Sequence, residues 1–82
     1  MPTILRIDGL RVPIYPNDHP PPHVHVIGVN GEAVFLLNCP DGRAELRESY
    51  GFRGPEMGRM GGDLLAHITN LCSRWETIHG NL

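Results

Sequence analysis

Three of the chain's five histidines, His19, His23 and His25, fall in the stretch YPNDHPPPHVHV (Tyr15 to Val26), around three consecutive prolines. His23 and His25 lie two apart in what reads as a strand. Their side chains then share one face, with backbone positions about 6.6 Å apart. Neutral imidazoles so placed are a common first half of a site for zinc or another first-row metal. Histidines on strands also serve simply as hydrogen-bonding groups, and a catalytic ion normally takes three protein ligands. The residues that could complete a set are His67, Glu32 and His19.

Spacing separates these candidates. A polyproline II run advances about 3.1 Å per residue, so four steps from His19 to His23 cover roughly 12 Å. A cis bond would shorten that path, but only about 5–6% of X-Pro bonds in folded proteins are cis. His19 is therefore read apart from the pair, in a turn made by Asn17, Asp18 and the restraint of Pro20 on its neighbour. His67 stands three residues after Leu64 and four before Leu71, inside a helical apolar stripe. It reaches His23 and His25 only if the helix packs on their face of the sheet.

The elements that must hold these residues are legible from turn signals and periodicity. Asp8-Gly9, Asn30-Gly31 and Asp41-Gly42 are dipeptides that tight hairpins favour. Between them run TILRI, LRVPIY, HVHVIG, EAVFLLN and RAELRES, which predict four or five short antiparallel strands. Pro13 lacks a donor, so its strand is expected at an edge or with its amide side turned outward. Met57, Met60, Leu64, Ile68, Leu71, Trp75 and Ile78 then recur at helical spacing, with Pro55 at the start and Gly80 as a cap. Gly58, Gly61 and Gly62 weaken the first turns, and a break near Gly61-Gly62 is expected. The expectation is one α+β domain over residues 1–82, with an antiparallel sheet over about 3–48 and one C-terminal helix over about 55–79.

A two-residue loop at Asn30-Gly31 would place Ile27 opposite Val34, His25 opposite Leu36 and Val24 opposite Leu37. One face then carries Val24, Val26, Phe35 and Leu37. The other carries His23, His25, Ile27, Val34 and Leu36. Both are substantially apolar, yet one helix covers only one face. A homo-oligomer contact or a partner protein on the second face is expected, with Ile27, Val34, Leu36, His23 and His25 as its residues; the alternative is that the sheet curls and its N-terminal hairpin closes over part of that face.

A chain of 82 residues with a net charge of −2 buries a small core and has no general attraction to nucleic acid. No apolar run approaches the roughly 20 residues of a membrane span. The opening MPTILRIDG reads as no secretion signal, so a cytoplasmic protein is expected. All seven basic residues are arginine, a side chain suited to bidentate contact with phosphate or carboxylate. Arg6 and Arg11 should face each other across the Asp8-Gly9 hairpin. With Arg43 and Arg47 on the last strand they form a candidate anion or nucleic-acid surface, unless Asp8, Glu45 and Glu48 neutralise them. Cys39 and Cys72 lack metal-type spacing and read as two free thiols, with a disulfide between them as the alternative. Ser49, Ser73 and the glycines match no nucleophile or phosphate-loop pattern.

MPTILRIDGLRV, PNDHPPPHVHV, GEAVFLL and the tail from Gly51-Phe52 to Trp75 together resemble the bacterial family known as domain of unknown function 4160. The match runs in order over nearly the whole chain. It departs in the tail, where the family's helix is usually charged and poor in glycine. The resemblance implies a similar fold and no established activity. It marks His19, His23 and His25 as a family signature without assigning them a role. Its genes often neighbour a second small protein in toxin–antitoxin-like arrangements, which implies a protein partner.

The leading expectation is a non-enzymatic interaction module with no required cofactor. The alternatives are a metal-dependent hydrolase or nuclease, with a divalent ion such as zinc on the His-x-His pair, and a nucleic-acid binder acting through the strand arginines.

Overall fold

The computed structural model describes residues 3–39 and 41–80. Five strands, β1 (Thr3–Ile7), β2 (Leu10–Pro13), β3 (His23–Ile27), β4 (Glu32–Leu36) and β5 (Glu45–Tyr50), precede two helices, α1 (Gly54–Ala66) and α2 (Ile68–His79). The strands form one antiparallel sheet in chain order. The α+β class holds; the single helix does not.

The helical region breaks at His67, whose φ of −115° and ψ of 13° leave the helical region. Its amide bonds back three residues to the Leu64 carbonyl, and α2 starts with Leu71 N–H on the His67 carbonyl. The expected break at Gly61-Gly62 is absent, because α1 is held through that point by Met60 and Leu64, both buried against the sheet. Tertiary packing here overrides the weak helix propensity of glycine. Glu56 accepts the Arg53 N–H at 2.8 Å and fixes the entry to α1.

The Asp8-Gly9 turn forms as expected: both residues have positive φ (48° and 81°), and Ile7 pairs with Leu10. The β3–β4 register is a correction. Ile27 faces Glu32, His25 faces Val34 and Val24 faces Phe35, two residues from the expected pairing. The loop is four residues long, closed by Gly28 N–H on the Gly31 carbonyl at 2.9 Å. Gly31 sits hard against the Tyr50 carbonyl, where no side chain fits. A shift of two preserves side-chain parity, so the predicted division into faces survives. Strand β2 lies second in the sheet rather than at an edge, and Pro13 is its final residue.

Both helices cover the face that bears Val24 and Phe35. Val12, Ile14, Val24, Val26, Ala33, Phe35 and Leu37 meet Met60, Leu64, Ile68, Leu71, Cys72 and Trp75 in one buried cluster. Each fully buried large side chain contributes about 1.5–3 kcal/mol relative to exposure. Cys39 and Cys72 are joined in a disulfide with Cα atoms 5.8 Å apart, which corrects the reading as free thiols. Sequence spacing could not show this pairing, since it joins α2 to the loop that follows β4. Among the described residues, no helix is long and apolar enough to cross a membrane.

Candidate functional site

The chain leaves β2 at Pro13 and turns at once. Asp18 N–H donates to the Tyr15 carbonyl at 3.0 Å, and Tyr15 N–H donates to Asp18 Oδ2 at 3.3 Å. Proline at the second position of this turn presets its backbone, and asparagine suits the third. The closed turn folds the Asp18 carboxylate back toward the start of β3. There Oδ2 lies 3.4 Å from His23 Nε2 and 3.3 Å from His25 Nε2. Pro20 and Pro21, joined by a cis peptide, carry the bend before β3.

The other ring nitrogen of each histidine is engaged. His23 Nδ1–H donates to the Pro21 carbonyl at 2.8 Å, and His25 Nδ1–H donates to Glu32 Oε2 at 3.1 Å. His25 Nε2 is buried and has no hydrogen-bond partner. A donor set of Asp18, His23 and His25 therefore converges, with one ligand atom from each lying within 4.8 Å of the others. Arrangements of this kind bind cations or shuttle protons, because imidazole and carboxylate can each hold either.

The end of α2 supports this corner. His79 donates from Nε2 to the Tyr15 carbonyl at 3.0 Å. Its ring stacks on Trp75 with centroids 3.9 Å apart, and Trp75 in turn lies 5.2 Å from the His23 ring. Tyr15 meets the His25 ring edge-on at 4.8 Å. Loop, strand and helix end thus fix both imidazoles, and His23 is only 7% exposed.

The sequence-derived candidates divide sharply. His23 and His25 are together, and Glu32 touches His25 from the far side of its ring. His19 is exposed in the loop, and His67 is exposed at the α1–α2 junction. α2 reaches this corner only through Trp75 and His79 in its last turns, and His67, at its other end, does not join the pair. The sequence marks Asp18 only as a turn residue, because an extended proline run would carry it away from His25. Nothing in the spacing pointed to Tyr15, Trp75 or His79.

Arg6 and Arg11 do face each other across β1 and β2. Arg47 lies on β5 at the opposite edge, about 19 Å away at four strand spacings. Arg43 precedes β5 in the connecting loop and is not on the strand. The four arginines form no single patch. On the helix-free face, Val34 is 8% exposed and Tyr50 68% exposed, while Ile27 and Leu36 are half-buried.

The family model described as a domain of unknown function (DUF4160) matches residues 9–76, and the chain belongs to that family. No curated protein and no solved structure matches the chain.

Proposed function

We propose that this chain is a small protein-interaction module whose recognition surface is the helix-free sheet face, bordered by the His–Pro loop. The observation that carries this reading is one row of that face. Cross-strand pairing sets Arg6, Arg11, Ile27, Glu32 and Tyr50 side by side over all five strands. Arginine and tyrosine are enriched at the centres of protein interfaces, where a planar side chain supplies both area and directed hydrogen bonds. No carboxylate is paired with Arg6 or Arg11 among the described residues. The two guanidinium groups are therefore free to meet acidic groups on a partner.

Of the three apolar residues expected to form the contact, Ile27 and Leu36 keep accessible surface, and Tyr50 adds more. Val34 is too deeply placed to contribute area and acts as the floor between Glu32, Glu48 and Tyr50. A second small protein encoded beside this one, as in toxin–antitoxin-like pairs, is the partner that the family resemblance suggests.

Co-expression with the neighbouring gene product and affinity capture through a tag on this chain tests the reading. Capture is expected from the wild type and lost in Tyr50→Ala/Arg11→Ala, a surface pair that leaves the core intact. A chain that stays monomeric by light scattering and retains no partner contradicts it.

A further inference from the structure

The geometry points to a divalent metal site at Asp18, His23 and His25. The inference goes beyond the interaction reading and its three ligands stand outside the row that carries that reading, with Glu32 as the one shared residue. Hydrogen placement begins the argument. A carbonyl oxygen only accepts, so the 2.8 Å contact with Pro21 puts a proton on His23 Nδ1. The ionised Glu32 carboxylate likewise only accepts, so the 3.1 Å contact puts a proton on His25 Nδ1. In the neutral rings, both Nε2 atoms then carry lone pairs. Both lone pairs sit 3.3–3.4 Å from one carboxylate oxygen, itself an acceptor. Asp18 Oδ2 accepts the Tyr15 N–H at 3.3 Å, but no hydrogen lies between it and either imidazole lone pair. The buried, unpartnered His25 Nε2 is the sharpest sign of this deficit.

A cation resolves all three at once. With metal–ligand bonds of about 2.0–2.1 Å, neighbouring ligands of a tetrahedral ion stand about 3.3–3.4 Å apart. The two Asp18–histidine separations, 3.4 and 3.3 Å, have that length; the bound that also covers the histidine–histidine pair is 4.8 Å, so the rings would close in slightly on an ion. The outer contacts also have the form metal sites use: each ligating imidazole donates its other N–H to a carbonyl or carboxylate, which fixes ring orientation and raises ligand basicity. Pro21 serves His23, and Glu32 serves His25. The charge balance agrees, since Asp18 and Glu32 bring two negative charges and the ionisable groups they meet among the described residues are the two histidines. Protonating both rings would supply the missing hydrogens, but it would set two imidazolium groups side by side with centroids 5.4 Å apart. One ion avoids that repulsion.

Two nitrogen donors and one carboxylate, with no thiolate, suit zinc and its first-row neighbours rather than calcium or magnesium. The ion ties the Tyr15–Pro22 loop to β3, with a fourth coordination position left for water or for a donor from another molecule.

The test is calorimetric titration of chelator-treated, folded protein with zinc chloride, with circular dichroism of each variant as a control. Wild type is expected to bind one zinc per chain. Asp18→Asn keeps the oxygen that accepts the Tyr15 N–H but removes the charge, and is expected to weaken binding at least tenfold. His25→Gln is expected to weaken it a hundredfold or more. Glu32→Gln, acting as a positioning residue, should cost about tenfold. His19→Ala/His67→Ala should change nothing. Two results overturn the inference: no saturable uptake by a folded wild type, or uptake that survives Asp18→Asn and His25→Gln but falls in His19→Ala/His67→Ala.

Discussion

Strand β3 carries two different jobs on alternate residues. Val24 and Val26 point into the helix-covered core and are at most 1% exposed. His23 and His25 point the other way, toward Asp18, Glu32 and Tyr15. One face is satisfied by apolar packing from the chain's own helices. The other is held by polar contacts that leave acceptors facing each other. The first face accounts for why the chain folds, and the second leaves the buried His25 Nε2 without a hydrogen-bond partner.

The largest contrast should appear in stability. Phe35→Ala removes a ring from the centre of the core and is expected to cost about 3–5 kcal/mol in urea denaturation. Tyr50→Ala, on the open face, should stay within about 0.5 kcal/mol. Equal losses would erase the distinction between the two faces.

Reducing the Cys39–Cys72 bond opens a loop of sequence separation 33. The chain-entropy model gives a loss of about 3–4 kcal/mol for such a loop, to be read from denaturation with and without reductant. This tests the core side again, because the bond anchors α2 over the sheet.

Zinc at a hundred times its dissociation constant should raise stability by about 2.7 kcal/mol. At the same zinc concentration the gain should fall to about 1.4 kcal/mol or less in Asp18→Asn, while the effect of Phe35→Ala persists unchanged. Additivity of this kind is expected where two sites share no partners. The smallest effect belongs to His67→Ala, expected within about 0.5 kcal/mol and without influence on zinc. A larger change would mean that the helix junction communicates with the histidine corner.

Much of this arrangement was legible in the residues alone. Period-two alternation placed Val24 and Val26 opposite His23 and His25, and a register error of two left that parity intact. The Asp8-Gly9 hairpin followed from the positive φ its residues tolerate. The break at His67 was not legible, because its neighbours keep helical spacing on both sides and only packing decides where the axis turns. The place of Asp18 beside His23 and His25 was hidden by its ordinary role in a turn. The disulfide was hidden because sequence distance says nothing about which helix face lies over which loop. The features that failed are those set by how elements meet rather than by the elements themselves.

X-ray absorption at the zinc edge of the loaded protein would test the central claim most directly, since it reports the donors themselves. Two imidazole nitrogens, with the rest of the shell oxygen, at about 2.0–2.1 Å are expected. A shell containing sulfur, or one with no more than a single imidazole, would contradict the site at Asp18, His23 and His25.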